Sequence, residues 1–281
     1  MGARFYTFVW SLYDAMHAAM GDTSVRHIVV LDRPNPLGGV HMRGPVLEPD
    51  FASFIGRAAV PQQHGMTVGE LARFFFHNLQ HSVQPQQPPP FRLEVITMDN
   101  WSRDMLYDAT GLPWVMPSPN MPTPDTAAVY PGLGILEGTN LSEGRGTTRP
   151  FELAGAPYLN YTFALALQAD AAKYGVGVRE AYFVPTFSKW TGNVSAGLQT
   201  YVVDGAAFDA VAWGVNVVAT AQRLAPGNFS FLGDGDDFDL HMGSNATRLA
   251  LERGDAVADI VSRWQPGLES FARARQPFLL Y

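Results

Sequence analysis

The stretch HIVVLDRPNP, residues 27–36, decides the fold of the first half of the chain. Its apolar run Ile-Val-Val-Leu is typical of a parallel strand that is buried on both faces of a sheet. An amphipathic helix is predicted before it, at 4–20. A helical pattern at 67–80 and a second strand, FRLEVITM at 91–98, follow it. Because helices and strands alternate, the sequence predicts βα units and a parallel sheet.

The second half of the chain has a different pattern. EAYFVPTFSKW (180–190) and AGLQTYVVD (196–204) are predicted to be strands that pair antiparallel, and a helix is predicted at 207–224. The sequence therefore predicts an α/β protein of two domains. Residues 1–152 contain the βα units, and residues 153–281 form a smaller α+β domain.

The composition excludes several classes of protein. A net charge of −7 argues against a nucleic-acid partner, because phosphate binding needs a basic face. The absence of cysteine excludes disulfides, zinc–thiolate sites and a cysteine nucleophile. No apolar run approaches the ~18 residues that span a bilayer, and we expect no signal peptide in the chain as given. A neutral or amphiphilic small substrate is compatible with all of these features.

Polar residues directly follow the first predicted strand. In open α/β sheets, ligands bind beyond the carboxyl ends of the strands. Asp32, Arg33 and Asn35 occupy that position, so they are candidate site residues. The alternative is a turn with a local ion pair and an Asx-type hydrogen bond. Position alone leaves both interpretations open.

The segment QQHGMTVGE contains two further ionisable residues. His64 is either a site residue or a loop histidine that caps the next helix, and nothing local decides between them. No partner stands at metal-ligand spacing, so no metal site is predicted. Thr67 and Glu70 have the T-x-x-E spacing of a capping box, which we favour over a chemical role for Glu70.

The loop EGTNLSEGRGTTRPF, residues 137–151, is the densest polar segment. Glycosidic cleavage uses two carboxyl groups that flank the scissile bond, and Glu137 and Glu143 are candidates for this pair. Arg145 is a candidate for holding a ligand carboxylate in a fork, and the glycines allow backbone N–H groups to converge on an anion. The alternative is a solvated surface loop. A long irregular segment in a compact domain is usually functional or disordered, and we favour function.

Five blocks stand out in order along the chain: GARFYTF, VVLDRPNPLGG, PQQHGMTVGELA, LPWVMPSPNMPT and EGTNLSEGRGTTRPFELAGAP. Together with FDLHMGS and the closing ARQPFLLY, they resemble the signature of the DUF1343 family. The resemblance covers essentially the whole chain.

The resemblance implies a specific activity. Members of the family are exo-β-N-acetylmuramidases of bacterial cell-wall recycling, which remove β-1,4-linked N-acetylmuramic acid (MurNAc) from the non-reducing end of peptidoglycan fragments. It also implies a Rossmann-like domain, here partial, followed by a smaller C-terminal domain, with the site in the cleft between them. No metal or organic cofactor is expected. The expected ligands are muropeptides or saccharides of MurNAc and N-acetylglucosamine (GlcNAc).

The resemblance also singles out residues in the matching blocks. The lactyl carboxylate of MurNAc suits an arginine, and the blocks contain Arg4, Arg33 and Arg145. The other matched polar positions are Tyr6, Asp32, Asn35, His64, Asn120, Glu137, Asn140 and Glu143. Of all these, Glu137 and Glu143 are the expected catalytic residues and the remainder are expected to bind substrate.

The chain departs from the family pattern at its start. Family members have a longer N-terminal part, whose Gly-Pro-Glu-His-Gly block supplies the glutamate usually proposed as catalytic, and nothing here corresponds to it. Met1 stands where the family usually has valine, which suggests a gene start that was read too late. The protein is expected outside the cytoplasm if the missing part carries a signal peptide.

Two alternatives to a hydrolase follow from this departure and from the fold. The first is a non-catalytic carbohydrate-binding remnant, which keeps contacts to sugar but lacks the upstream glutamate. The second is a solute-binding protein, since α/β lobes around a cleft also suit that role. It ranks last, because the second half of the chain lacks the paired βα lobe that such a protein would need.

Overall fold

The structure of the chain is a computed structural model, and it describes residues 7–22, 24–83, 88 and 90–281. Its helices are α1 (Thr7–Gly21), α2 (Val68–Val83), α3 (Pro124–Leu133), α4 (Tyr161–Asp170), α5 (Ala210–Leu224), α6 (Asp236–Met242), α7 (Ala246–Arg253), α8 (Val257–Ser262) and α9 (Gln265–Arg275). Its strands are β1 (His27–Leu31), β2 (Arg43–Val46), β3 (Pro61–Gln63), β4 (Arg92–Ile96), β5 (Leu153–Ala156), β6 (Val176–Phe183) and β7 (Ser195–Val202). Arg4 and Tyr6, two expected ligand-binding residues, lie outside the described residues.

The first half contains the expected βα unit. β1 and β4 pair in parallel, with His27 opposite Arg92 and Leu31 opposite Ile96. Helix α2 connects them and packs against both strands, and α1 packs on α2. The core between these elements includes Trp10 and Phe75. The prediction of a parallel sheet is therefore confirmed.

One face of β1 differs from the expectation. The strand was predicted to be buried on both faces, but Val29 is 49% and Leu31 is 69% exposed. Within the described chain, β4 is the one strand paired with β1, and the helices cover a single face of the pair. Apolar side chains on the other face therefore remain in contact with solvent.

The second half is built on an antiparallel sheet with the order β5-β7-β6. β6 pairs with β7 along its whole length, as predicted. It ends at Phe183 and does not continue to 190, because Pro185 has no N–H to donate to a neighbouring strand. Helices α3 and α5 touch at Gly132 and Gly214, where a Cβ on either residue would overlap the backbone of the other helix.

The C-terminal helices follow their sequence signals closely. α7 ends at Gly254, whose φ of 78° is the left-handed conformation that glycine adopts readily. Residues 257–275 form two helices, α8 and α9, which are separated just before Pro266. No helix among the described residues is long and apolar enough to cross a bilayer.

Several contacts join the halves of the molecule. Gln62 of β3 donates from Nε2 to the carbonyl of His241 in α6, at 3.3 Å. α6 in turn packs on a short 3₁₀ helix, Gly134–Gly138, which begins the loop 137–151. α9 also packs on β2. Through α6, the loop 137–151 is therefore linked to β3.

Candidate functional site

Asp32, directly after β1, accepts four hydrogen bonds. Its Oδ1 accepts from the backbone N–H of Arg33 (2.9 Å) and of Gly69 (2.8 Å). Its Oδ2 accepts from the Thr67 hydroxyl (2.7 Å) and the Tyr281 hydroxyl (2.9 Å). Gly69 allows this approach, because a Cβ there would come within 2.7 Å of the Asp32 carboxyl carbon. The carboxylate is buried, and its partners fill both oxygens.

Glu70 is fully buried and forms the predicted capping box. Thr67 N–H donates to Glu70 Oε2 (2.9 Å), and Glu70 N–H donates to the Thr67 hydroxyl (3.2 Å). The other carboxylate oxygen accepts from Arg103 Nη2 (2.5 Å) and from the N–H of Leu280 (2.8 Å). Asp32, Thr67, Glu70, Arg103 and Tyr281 together form what we call the strand-end network.

Asn35 and His64 stabilise the backbone beside this network. Asn35 donates to the carbonyl of Met66 (3.0 Å) and accepts from the N–H of Leu37 (3.0 Å). His64 accepts from the N–H of Met66 at Nδ1 (3.1 Å). Both side chains are buried. Both side chains bond to the backbone of Met66, just before α2, which supports a structural role.

Arg275 of α9 is a buried cation that the sequence did not single out. Its Nη1 donates to the carbonyls of His64 (3.1 Å) and Gly65 (2.7 Å). Burial and the neighbouring Arg103 lower the pKa of its guanidinium to about 10. Arg275 therefore fixes the turn before α2 from a position far along the chain.

Two other candidate residues, Arg33 and Asn120, have side chains outside the strand-end network. Arg33 is exposed beside Asp32, and Asn120 is half-buried in the proline-rich segment before α3. Within the described part of the chain, neither side chain forms an assigned hydrogen bond or ion pair. Apart from the backbone N–H of Arg33, which donates to Asp32, neither residue has an assigned contact with another expected site residue in the described chain.

Glu137 and Arg145 form a forked ion pair in the loop 137–151. Arg145 donates from Nη2 (2.7 Å) and Nε (3.2 Å) to Glu137 Oε1. Arg145 Nε also lies 3.4 Å from Glu143 Oε1. The guanidinium stacks over the ring of Phe151, 5.0 Å from its centroid. Arg145 therefore contacts both of the expected catalytic carboxylates.

Lys189 completes this group, and we call Glu137, Glu143, Arg145 and Lys189 the loop cluster. The Lys189 ammonium donates to the carbonyls of Leu136 (2.7 Å), Thr139 (2.8 Å) and Leu141 (2.7 Å). An ammonium has three N–H donors, so all are used. Nζ also lies 2.8 Å from Glu143 Oε2, a contact of opposite charges. Burial lowers the pKa of Lys189, and Glu143 partly opposes this shift.

The two carboxylates differ in accessibility. The Glu143 side chain is 2% exposed, and each of its oxygens faces a cation. The Glu137 side chain is 24% exposed, and its Oε2 lies 3.9 Å from His241 Nε2. His241 Nδ1 contacts the Asp237 carbonyl at 2.7 Å, which leaves Nε2 directed at Glu137. A ligand can therefore reach Glu137 more easily than Glu143.

Asn140 holds the loop against its neighbours. It accepts from the hydroxyl of Tyr158 (2.6 Å) and the N–H of Ser230 (3.1 Å), and it donates to the carbonyl of Asn228 (2.7 Å). Its own carbonyl accepts from the Trp190 indole (2.6 Å). Its side-chain carbonyl and amide are both engaged, which makes Asn140 a structural residue of the loop.

The backbone of the loop is folded tightly at three points. Gly144 and Gly146 have φ of 75° and 81°, which glycine adopts without steric cost. Phe151 has φ of 62° although it is not glycine, and its ring is buried. Such a conformation costs about 1–3 kcal/mol and persists when its surroundings enforce it. The N–H of Phe151 donates to the carbonyl of Glu143 at 2.6 Å, which closes the loop.

Two cavities lie beside the end of β1 and the loop 137–151: Pro36 and Leu37, after β1, line the first, and Arg149 of the loop lines the second. A cleft of about 260 Å³ lies between the halves, lined by Pro36 and Leu37 on one side and by Val202 and Phe208 on the other. A second cavity, of about 480 Å³, lies over β7. Among the described residues, no three His, Cys, Asp or Glu side chains are grouped so that they could hold a metal ion.

Comparison with known proteins relates this geometry to one family. Profiles of the N-terminal and C-terminal parts of the exo-β-N-acetylmuramidase NamZ match residues 1–125 and 128–281. The peptidoglycan β-N-acetylmuramidase NamZ of Bacillus subtilis (strain 168) is 43% identical over 281 residues. The match covers 100% of this chain and 65% of that protein, so the chain spans less than two thirds of its relative's length.

Solved structures agree with the sequence match. Crystal structures of two DUF1343 family proteins from Bacteroides fragilis NCTC 9343 superpose on 100% of this chain and 72% of theirs, at TM-scores of 0.88 and 0.76. Their sequence identities are 29% and 27%. By sequence and by structure, the chain belongs to the DUF1343 family, the family of the exo-β-N-acetylmuramidase NamZ.

Proposed function

We propose that the protein hydrolyses the terminal, non-reducing β-1,4-linked MurNAc of peptidoglycan fragments. The observation that carries this proposal is the 43% identity to a peptidoglycan β-N-acetylmuramidase across the whole chain. The loop cluster supports it, because it groups two carboxylates, an arginine and a lysine, with Glu137 partly exposed. Muropeptides or saccharides of MurNAc and GlcNAc are the proposed ligands.

The substrate is proposed to lie in the cleft between the halves. Pro36 and Leu37 follow the end of β1, where ligands of open α/β sheets bind. They line the cleft opposite Val202 and Phe208. A site at this place would receive groups from both halves, as a glycosidase with flanking carboxyls needs.

The geometry favours different roles for the two loop carboxylates. Glu137 is half-buried and keeps one oxygen free of the Arg145 fork, so we assign it the contact with substrate. Glu143 is buried between Arg145 and Lys189 and acts by positioning them. Both Glu143 oxygens face cations and the side chain is 2% exposed, so Glu143 is out of reach of a glycosidic oxygen. Proton donation to the leaving group is therefore not assigned to Glu143.

The burial of Glu143 between two cations also favours a second candidate function, which is carbohydrate binding without hydrolysis. Glu143 is buried and Glu137 is paired with Arg145, so a protein without another acid would bind the sugar and leave it intact. The same loop would then serve recognition. The proposed location is outside the cytoplasm, where peptidoglycan is found.

Release of MurNAc from the disaccharide MurNAc-GlcNAc distinguishes the two functions. A hydrolase releases MurNAc, and Glu137→Gln should lower kcat/KM by about tenfold or more, because it removes the charged group that is assigned to contact the substrate. A binding protein releases none but retains its affinity for the disaccharide. Glu180→Gln, on the exposed part of β6, is the matched control and should behave as wild type. Unchanged kinetics in both Glu137→Gln and Glu143→Gln would contradict a role for the loop cluster.

A further inference from the structure

The cavity over β7, which we call the sheet cavity, has a charged lining that the proposed reaction does not use. Its volume is about 480 Å³. Arg149 and Arg179 line it, together with the buried side chains of Glu152 and Gln199. Two arginines in one concave site are suited to an anionic ligand, since a guanidinium matches the geometry of a carboxylate.

Buried groups orient Arg179 in this cavity. Glu152 accepts from the Thr126 hydroxyl (2.7 Å) and from Gln199 Nε2 (3.4 Å). This leaves Gln199 Oε1 directed outward, where it accepts from Arg179 Nη2 (2.9 Å). Glu152 and Gln199 are 3% and 7% exposed, so this support is rigid. The guanidinium is thereby positioned before any ligand arrives.

The charge of Arg179 is not balanced by a close carboxylate. Within the described chain it forms no ion pair, and its hydrogen bond to Gln199 uses one of five N–H donors. Arg149, in contrast, lies 3.3 Å from Glu152 Oε2. Arg179 is therefore the cation of the sheet cavity that is most available to a ligand carboxylate.

The sheet cavity is continuous with the cleft between the halves. Asp125 and Val202 line both of them. Arg149 also belongs to the loop 137–151, which carries Glu137. A ligand that extends from the cleft therefore reaches the arginines without leaving the surface groove.

We propose that the sheet cavity is a distal subsite that binds a carboxylate on an extended glycan, with Arg179 as the principal contact. This inference rests on the proposed function. When the terminal MurNAc is bound for cleavage, the next MurNAc along the glycan carries its lactyl carboxylate away from the reacting bond. The subsite would make a longer glycan a better ligand than a disaccharide, because a charged fork adds a directed contact.

The test compares two non-hydrolysable, thio-linked ligands by calorimetry: the disaccharide MurNAc-GlcNAc and the tetrasaccharide with two such units. The tetrasaccharide should bind wild type roughly tenfold more tightly. Arg179→Gln should reduce this ratio to nearly one and leave the affinity for the disaccharide unchanged. The matched control is Arg223→Gln, at an exposed arginine of α5 away from the cavity. It should preserve the ratio.

A ratio that Arg179→Gln leaves intact overturns the subsite, and so does an equal loss of affinity for both ligands. A tetrasaccharide whose second lactyl carboxylate is reduced to an alcohol should bind wild type like the disaccharide. MurNAc release from ordinary glycans is measured in parallel. Carboxylate-dependent binding without release contradicts the hydrolase and supports the subsite, whereas release with a wild-type ratio of one contradicts the subsite alone.

Discussion

The strand-end network and the loop cluster use the same kinds of side chain in opposite ways. In the strand-end network, Asp32 and Glu70 are buried and each carboxylate oxygen accepts at least one hydrogen bond. In the loop cluster, Glu137 is 24% exposed, and one of its oxygens accepts nothing from Arg145. A closed network stabilises the fold, whereas an open one retains capacity for a ligand.

This difference in burial and hydrogen-bond partners separates residues that the sequence blocks did not distinguish. Asp32 and Glu137 both stand in blocks that resemble the same family. Only their partners separate them, since Asp32 has four donors from three segments and Glu137 has one forked arginine. The following predictions test whether the first group sets stability and the second sets function.

The largest effect on stability is expected for Glu70→Gln. The substitution removes the counter-charge of Arg103 in a fully buried site and places an amide N–H against the N–H of Thr67 or Leu280. Breaking a buried pair costs about 3–5 kcal/mol. The free energy of unfolding, from urea titration at pH 7, should fall by that amount.

Glu94→Gln is the matched control for Glu70→Gln. Glu94 lies on β4 and pairs with His27 (3.0 Å) and Arg92 (3.6 Å) at the surface. Exposed pairs contribute about 0–1 kcal/mol, so this variant should unfold nearly as wild type does. Equal losses in the two variants would show that burial does not distinguish the strand-end network.

The sequence predicted the part of the strand-end network that is local. The T-x-x-E spacing gave the reciprocal bonds of Thr67 and Glu70, because a capping box lies within one turn of helix. It did not give the contact of Arg103 with Glu70 or that of Tyr281 with Asp32. Tyr281 is 249 positions from Asp32, and no periodicity relates residues so far apart. Such contacts are set by how α2, β4 and the C-terminal segment pack.

A smaller loss of stability is expected for Lys189→Met. The change removes three hydrogen bonds to carbonyls and the closest cation to Glu143 Oε2. Burial lowers the pKa of Lys189, which shows that desolvation of the ammonium offsets part of the stability its contacts provide. The free energy of unfolding should therefore fall by about 2–4 kcal/mol. Hydrogen exchange should increase in residues 136–151 before the rest of the chain.

Lys173→Met provides the comparison for Lys189→Met. Lys173 is 71% exposed and pairs with Asp170 at the surface, so its loss should cost less than about 1 kcal/mol. Unchanged exchange at 136–151 in Lys189→Met would show that the loop holds its shape without the ammonium. In that case Lys189 is not the anchor of the loop cluster.

For the loop cluster, too, the sequence predicted only the part that is local in the chain. Glu137, Glu143 and Arg145 lie within nine residues, and their density in an irregular segment indicated a site. Lys189 stood in a stretch predicted to be a strand. The strand ends early, and Ser188 and Trp190 adopt positive φ, so the chain turns and brings Lys189 to the loop. Nothing in the local pattern indicated that turn.

Tyr281→Phe should have a moderate effect that depends on pH. The hydroxyl donates to Asp32 and accepts from the N–H of Met98, and its loss should cost about 1–2 kcal/mol at pH 8. Burial raises the pKa of Tyr281 to about 12, from 10 in the unfolded chain. The folded state therefore binds more protons between pH 10 and 12, and the stability that Tyr281 contributes falls as pH rises through this window.

The measurement is the difference in unfolding free energy between wild type and Tyr281→Phe from pH 8 to pH 12. This difference should be constant up to pH 10 and should then shrink. Arg275, whose pKa is lowered, is present in both proteins and cancels in the difference. Tyr161→Phe, at an exposed tyrosine of α4, should cost little at pH 8. A difference in unfolding free energy that grows above pH 10 would have the opposite sign to the expected one, and it would contradict the raised pKa of Tyr281.

The smallest effect on stability is expected for Glu137→Gln, although its effect on function should be the largest. Its ion pair with Arg145 is partly exposed, and the glutamine carbonyl can still accept from the same fork, so unfolding should change by less than about 1 kcal/mol. Glu70→Gln should show the reverse, with lost stability and, in the fraction that remains folded, normal affinity for MurNAc-GlcNAc. Measuring both quantities in both variants tests the comparison directly. If Glu137→Gln unfolds as readily as Glu70→Gln, the loop cluster is a second structural network, and the contact with substrate must be sought elsewhere along the cleft.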